Sequence, residues 1–204
     1  MITVLTPTGA RPEAFAACVE QMRAQDYAGP VQWIIVDDGP VPMRTPQIDG
    51  WDVVHIRREP FWREGENTQA KNLLCGLAAM RPNARVVVCE DDDQYAHWWL
   101  TACAARLDIC DLAGESQSLY RHIVTGKEHA CGNANHASLC STAMKGAALA
   151  HFRRICEAGD KFIDLRLWRD FDGAKALYSP KPRGVTGLKG WPGRAGIGMG
   201  HRLK

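Results

Sequence analysis

The chain has 204 residues, of which 46% are hydrophobic and 24% charged, which is ordinary for a globular domain with a sizeable core. Its formal net charge of +2 is too small to imply a polyanionic partner by itself. The N-terminus lacks the charged and apolar regions of a signal peptide, and no apolar run approaches the ~20 residues that cross a bilayer. We therefore expect a cytoplasmic protein with no membrane span.

Eight cysteines are distributed without any CxxC pair, which argues against a zinc ribbon or a thioredoxin-like motif. Several lie among apolar residues, as Cys89 does after three valines, and we interpret them as small buried side chains in a reducing compartment. A group of histidines and cysteines in the second half fits no zinc-binding spacing, and we interpret it as structural: His122, His129, His136, Cys131 and Cys140.

The first 95 residues predict alternating strands and helices. Residues 2–5 are β-branched and apolar, which predicts a buried strand. Pro12 suits the first turn of a helix, whose apolar face recurs up to Met22. Residues 31–36 predict a second strand. Strand, helix and strand at this spacing predict a βαβ unit with parallel strands.

The pattern continues with a third strand over residues 52–56 and a loop of cations and aromatic side chains over 57–66. That loop suits sugar stacking or nucleic-acid contact, and equally an ordinary surface loop. Asn67 or Thr68 can cap the next helix, and residues 85–89 predict a buried strand. Weaker patterns predict helices over 97–107, 142–156 and 162–169, a strand over 118–124, and no apolar periodicity from residue 180 onward.

Four acidic residues, Glu90-Asp91-Asp92-Asp93, directly follow the strand at 85–89. Mutual repulsion raises the pKa values of such a run unless a cation compensates it. Mg²⁺ and Mn²⁺ prefer oxygen ligands, and ligands of open α/β sheets bind at the carboxyl ends of the strands. Asp37 and Asp38 end the second strand in the same way. We predict a metal and diphosphate site here; the alternative is a solvated acidic turn.

Four segments resemble, in the right order, motifs of family 2-like glycosyltransferases of the GT-A fold. Residues 6–8 resemble the first nucleotide-contacting loop, and residues 36–39 resemble the VDDGS segment. Residues 70–74 are similar to the A-[RK]-N-x-G helix start, and residues 89–94 resemble the strand that ends in the DxD motif. The resemblance covers residues 1–100 well and the remainder loosely. It implies an α/β GT-A fold with a mostly parallel central sheet flanked by helices.

The resemblance also implies an activity: transfer of a sugar from a nucleoside-diphosphate sugar, a UDP-sugar first, to an acceptor hydroxyl. Mn²⁺ or Mg²⁺ would neutralise the leaving diphosphate. Asp92 is the implied ligand if the acidic motif begins at Glu90, and Asp93 if it begins at Asp91. The residues of the first half implied to bind the nucleotide sugar are Thr6, Pro7, Thr8, Arg11, Asp37, Asp38, Lys71 and Asp91.

An inverting transferase needs a general base for the acceptor hydroxyl. The segment from residue 159 to residue 168 resembles the part of the family that supplies it, with Asp164 as first choice and Asp160 as second. The alternative for either is a helix cap or a surface carboxylate. Inverting and retaining chemistry both stay open.

The stretch 181–204 holds six lysines and arginines, seven glycines and no acidic residue. Glycines let backbone N–H groups approach a phosphate, and the cations supply charge. We predict that residues 187–201 form a flexible loop that closes over the diphosphate through Lys189, Trp191 and Arg194, with His201 as a third metal ligand. The alternative is a disordered basic end.

We expect a single domain, residues 1–204, with a nucleotide-sugar half at 1–95, an acceptor half at 96–180 and the basic loop at 181–204. The short chain and its ending resemble phage-encoded members of the family, some of which glycosylate hydroxymethylated pyrimidines in DNA. DNA, saccharide, lipid and protein acceptors stay open. A nucleotidyltransferase would carry more glycine in its first loop than residues 6–11 do, and a non-catalytic relative would not need the intact acidic run.

Overall fold

The computed structural model describes residues 1–159 and 161–194. This part of the chain forms eleven strands: β1 (Ile2–Thr8), β2 (Val31–Asp37), β3 (Trp51–Arg57), β4 (Arg85–Val88), β5 (Asp93–Tyr95), β6 (Leu112–Glu115), β7 (Leu119–His122), β8 (Glu128–Ala130), β9 (Thr142–Met144), β10 (Lys175–Tyr178) and β11 (Val185–Lys189). It forms five α-helices: α1 (Pro12–Arg23), α2 (Gln69–Ala78), α3 (Trp99–Ile109), α4 (Gly146–Glu157) and α5 (Ile163–Asp170).

The central sheet has seven strands in the order β10-β6-β9-β4-β1-β2-β3. Only β9 runs antiparallel to its neighbours among the described strands, so the predicted mostly parallel sheet is confirmed. Every residue of β1 and β2 is buried, as expected of parallel strands that helices cover on both faces. Residues of α1 and α3 pack with Trp33 on one face, and residues of α2, α4 and α5 pack with Leu5 on the other.

A second, smaller sheet has the order β5-β11-β7-β8. Its first strand begins at Asp93, so the acidic run is the connection between the two sheets. β11 pairs antiparallel with β5 and parallel with β7. This pairing places Gly187 opposite Asp93 and brings the end of β11 to the acidic run.

Two predictions about the second half are wrong in part. Residues 142–156 are not one helix, because β9 comes first and Gly146, at a φ of +51°, starts α4 after it. The predicted flexible loop at 187–201 begins inside β11, whose buried positions are Val185, Gly187 and Lys189. A glycine and a lysine on the buried face hide the alternation that would have predicted a strand.

Among the smaller elements, β7 lies within the strand predicted over 118–124, whereas β6 and β10 were not predicted. All eight cysteines are free, and six of them are buried, which confirms that most are buried side chains. None of the helices in the described ranges combines the length and the apolar character that a membrane span requires.

Candidate functional site

The carboxyl ends of three neighbouring strands meet at one edge of the central sheet. β1 is paired in parallel with β2 on one side and β4 on the other, so the residues that follow the three strands lie together. The hydroxyl of Thr8 at the end of β1 donates to the Asp91 carboxylate, with 2.7 Å between Oγ1 and Oδ2. The end of β1 thereby contacts the acidic run directly.

Arg11 is the principal cation facing the first part of the acidic run. Its Nη1 donates to Asp92 Oδ2 over 2.7 Å, and its Nη2 donates to Asp91. Both carboxylates are buried, and burial raises the pKa of Asp91 to about 6 even though the charge of Arg11 opposes the shift. One guanidinium therefore contacts two buried carboxylates.

Asp37 and Asp38, at the end of β2, are held by cations from other segments. Asp37 accepts hydrogen bonds from the backbone N–H groups of Gly39 and Met43, each over 2.9 Å, and pairs with Arg57. Burial raises the pKa of Asp37, but His55, whose Nε2 lies 3.5 Å from Oδ2, and these hydrogen bonds outweigh burial, so its pKa lies below the ordinary value.

Asp38 is the meeting point of three segments. Arg58 Nη2 donates to its Oδ2 over 3.2 Å, and Thr68, just before α2, also donates to Oδ2. Arg194 Nη1 donates to the other oxygen over 3.0 Å, while its Nη2 donates to Thr68 Oγ1 over 2.8 Å. The end of the described chain is thus tied to the loop after β2 and to the start of α2.

The segment 190–194, which we call the strap, crosses from β11 to the loop after β1. The indole of Trp191 donates to the backbone oxygen of Asp92 over 3.1 Å. The backbone N–H of Arg194 donates to Ala10 O over 3.3 Å, and its guanidinium lies 5.2 Å from the centre of the Trp62 ring. The strap therefore touches the loop after β1, the 57–66 loop and the acidic run.

The last part of the acidic run is held from β11 and from the segment before β9. Asp93 Oδ1 accepts from the Leu188 N–H over 3.0 Å and pairs with Lys189 Nζ at 3.4 Å. The Cys140 thiol lies within 4.8 Å of an Asp93 carboxylate oxygen and opposes the rise in the pKa of Asp93. Burial and the neighbouring carboxylates raise the pKa values of Glu90 and Asp93 above the ordinary range, although Lys189 opposes both shifts.

These residues fit a divalent cation through their carboxylates. Glu90, Asp93 and Cys140 each place one ligand atom within 4.8 Å of the others. Two carboxylates suit the preference of Mg²⁺ and Mn²⁺ for oxygen, and a cation would relieve the repulsion that raises their pKa values. The thiol is a softer donor that oxygen-preferring ions do not need. Asp92 lines the same cavity, so the choice of ligand within the run stays a prediction.

One cavity of about 450 Å³ joins the acidic run to the second half of the chain. Asp164, at the first turn of α5, lines this cavity together with Glu90. Burial raises the pKa of Asp164, whereas a hydrogen bond from the Leu165 N–H, 2.8 Å from Oδ1, and the nearby charge of His136 oppose the shift. A carboxylate with a raised pKa in a cleft has the properties of a general base.

The structure brings about half of the predicted site residues to the cavity. Those that line it are Pro7, Arg11, Glu90, Asp92, Asp93, Asp164, Lys189 and Arg194. Thr8, Asp37, Asp38 and Asp91 are buried and do not line it, but Asp38 pairs with Arg194 and Asp91 with Arg11. Thr6 is also buried and accepts a hydrogen bond from the Trp33 indole over 3.0 Å. Lys71 is exposed and does not line the cavity, while Asp160 and His201 lie outside the described residues.

Sequence reasoning missed several lining residues. Asn72, one position after Lys71, is buried and lines the cavity, and it belongs to the helix-start motif already noticed. His136 and Cys140 line it as well, although their spacing suggested only structural roles. No sequence signal places them there, because the fold alone brings the segment before β9 to the acidic run.

No protein-family profile matches the sequence, and no curated protein sequence does either. Solved structures do resemble it. Staphylococcus aureus TarS, a glycosyltransferase of the GT-A fold, superposes with a TM-score of 0.63 at 14% identity, over 92% of this chain and 36% of that chain. The chain has the GT-A fold.

Two further TarS structures give the same picture. TarS 1–349 in complex with UDP superposes with a TM-score of 0.62 over 92% of this chain and 60% of that chain. The complex with UDP-GlcNAc gives a TM-score of 0.60 over 92% and 58%. Identity is 12% in both. The chain therefore spans less than two thirds of the length of these proteins.

Proposed function

We propose that the protein is a glycosyltransferase that moves a sugar from a nucleoside-diphosphate sugar to an acceptor hydroxyl. The observation that carries this proposal is the cavity itself, which is lined by the carboxylates of the acidic run and by Asp164. A diphosphate leaving group needs cations, and a hydroxyl nucleophile needs a base. Cationic side chains (Arg11, Lys189 and Arg194) and the Asp164 carboxylate line the same cavity. Its volume of about 450 Å³ suits a ligand of small-molecule size.

In this proposal the donor lies against the ends of β1, β2 and β4. Glu90, Asp92 and Asp93 would hold Mn²⁺ or Mg²⁺, which supplies charge stabilisation for the departing diphosphate. Lys189 and Arg194 line the same cavity and would bind phosphate oxygens. The TarS complexes with UDP and UDP-GlcNAc support a UDP-sugar as the donor.

Asp164 is the proposed base in an inverting reaction. Ionised, its carboxylate would accept the proton of the acceptor hydroxyl as that oxygen attacks the sugar carbon and the bond to the diphosphate breaks. Its raised pKa makes it a stronger base than an ordinary aspartate, and its position on α5 fixes it at the cavity wall.

The acceptor is proposed to be a hydroxymethylated pyrimidine in DNA. Lys161 and Phe162, directly before α5, are exposed and line the cavity. A cation and an aromatic ring at the mouth suit an acceptor that carries a phosphate and a planar base. Saccharide, lipid or protein acceptors are the alternatives that the experiment below separates.

The test is a panel of nucleotide sugars with Mn²⁺ or Mg²⁺, with nucleoside-diphosphate release measured with and without hydroxymethylated DNA. The expected result is release from a UDP-sugar that rises when the modified DNA is added, together with mass gain of the DNA. Matched DNA without hydroxymethyl groups is the control and should give no mass gain. If the donor is hydrolysed at the same rate with and without DNA, the glycosyltransferase proposal stands and DNA is rejected as the acceptor.

The same panel separates the other functions. Release of pyrophosphate from a nucleoside triphosphate would indicate a nucleotidyltransferase instead. Binding of a nucleotide sugar without turnover on any acceptor would indicate a non-catalytic relative. Neither binding nor hydrolysis of any sugar nucleotide would overturn the proposal.

A further inference from the structure

Arg11 occupies an unusual place in the site. Its guanidinium donates to Asp92 over 2.7 Å and to Asp91, and the residue is only 9% exposed. Asp92 lines the cavity beside the carboxylates that fit a divalent cation, and Arg11 lines it too. A cation that binds Asp92 therefore has to share that carboxylate with a guanidinium that already holds it.

Two buried donors of the same cavity have no hydrogen-bond partner among the described residues. They are Nε of Arg11 and Nδ2 of Asn72. The Asn72 side chain is oriented by Arg58, whose Nε donates to Oδ1, so the unpaired atom is the donor. Buried donors are normally satisfied, which indicates that a ligand with acceptor oxygens belongs here.

We propose that Arg11 is an exchangeable counter-ion of the acidic run. Before the donor binds, its guanidinium neutralises Asp91 and Asp92. When a diphosphate arrives with its divalent cation, the guanidinium gives up Asp92 to the cation and donates through Nε and Nη1 to diphosphate oxygens. Asn72 Nδ2 donates to a further oxygen of the same ligand. This inference rests on the proposed function and names the groups that receive the diphosphate.

The exchange has a consequence for binding that a merely structural ion pair would not have. With no diphosphate present, the charge of Arg11 opposes a divalent cation at Asp92. A bound diphosphate compensates that charge, so the cation and the nucleotide each strengthen the binding of the other. Metal alone should then bind weakly, and removal of the Arg11 charge should strengthen its binding.

The experiment measures Mn²⁺ affinity by electron paramagnetic resonance in the full chain without nucleotide. Arg11→Gln should bind Mn²⁺ at least about tenfold more tightly than the unaltered protein, because one unit of repulsion a few ångströms away is removed. The same variant should bind UDP with Mn²⁺ more weakly, because a phosphate-binding group is lost. Arg23→Gln removes a charge from an exposed pair on α1 and should change neither value.

Arg11→Gln leaves Asp91 buried without its counter-ion and could fail to fold, which circular dichroism would show. Arg11→Lys then carries the test, because one ammonium group cannot hold both carboxylates as the guanidinium fork does. Its Mn²⁺ affinity should rise less than that of Arg11→Gln, because the ammonium keeps the repelling charge but leaves one of the two carboxylates to the cation. Unchanged or weaker Mn²⁺ binding in a folded Arg11 variant would overturn the exchange and leave the proposed transferase intact. Absence of Mn²⁺ binding in every protein would instead remove the metal from the proposed function.

Discussion

Asp164 is the residue whose removal tests the proposed chemistry most directly. Asp164→Asn keeps the shape of the side chain but removes the basic carboxylate, so we expect kcat to fall by about 10²–10⁴-fold with little change in UDP affinity. Asp172→Asn, at an exposed position just after α5, is the matched control and should retain activity. Single-turnover kinetics with a saturating UDP-sugar would measure both. Full activity in Asp164→Asn would show that Asp164 is not the base. The base would then be Asp160, or the enzyme would use retaining chemistry.

The pH dependence of the reaction follows from the same residue. Burial raises the pKa of Asp164, and a base works only when it is ionised. Activity should therefore be present above this raised pKa and be lost as the pH falls through it, with the midpoint above the ordinary aspartate value of about 3.9. The measurement is kcat/KM against pH.

His136 supplies the internal check on that profile. Its positive charge favours the ionised form of Asp164, so His136→Gln should raise the pKa of Asp164 further and move the acid limb to higher pH. An acid limb that stays in place in this variant would mean that another group controls it.

At the scale of elements, the strap joins β11 to the loop after β1, and Gly193 leaves no room for a side chain against that loop. This glycine has a φ of +94°, and a Cβ there would lie 2.0 Å from the backbone oxygen of Ala10. A side chain at this position therefore has to lift the strap away from that loop. The contacts of Trp191 and Arg194 would be lost with it.

We expect Gly193→Ala to weaken UDP binding several-fold while the rest of the fold stays intact, because Arg194 leaves the cavity wall. Gly50→Ala is the matched control, since Gly50 also has a positive φ, +77°, but nothing lies within 4 Å of its Cβ position. Calorimetric titration with UDP and Mn²⁺ compares the two. Equal affinities would show that the strap takes no part in donor binding.

At the scale of the whole molecule, the first half could be predicted from the sequence because its signals are local. Residues 31–36 are apolar except for Gln32, and the acidic run follows a strand whose burial is evident from its three valines. The second half could not, because some of its buried positions hold polar side chains. Their burial is stabilised by pairing with residues far away in the sequence. Lys189 is buried, and its ammonium pairs with Asp93, 96 residues away in sequence, and lies over the Tyr120 ring.

The candidate site follows the same division. Asp91 and Asp92 belong to the acidic run and Arg11 lies in the loop after β1, so their proximity could be expected from parallel strand order. Cys140 and His136 reach the cavity through the antiparallel strand β9, which a helical pattern concealed. Motifs predict which strand ends meet. The cavity wall that faces these strand ends is formed by the second half of the chain, and its position depends on the complete topology.

The whole molecule should also respond to its ligand through stability. In the absence of a cation, burial and like charges hold the pKa values of Glu90 and Asp93 above the ordinary range, which means that ionising them costs folding free energy. A divalent cation with UDP binds the folded state and removes that cost. At a ligand concentration of about 100 times Kd, the gain is about 2.7 kcal/mol, which raises Tm by roughly 5–10 °C for a chain of this size.

Thermal unfolding at pH 7.5 with Mn²⁺ and UDP together, and with each alone, would measure this shift. The pair should stabilise more than the sum of the two separate shifts, because each ligand compensates the charge that opposes the other. Glu90→Gln removes one of the repelling carboxylates, so the variant should unfold at a higher temperature without ligand and gain less from the pair. If Mn²⁺ and UDP together raise the Tm of the variant as much as that of the unaltered protein, the cation does not bind at Glu90.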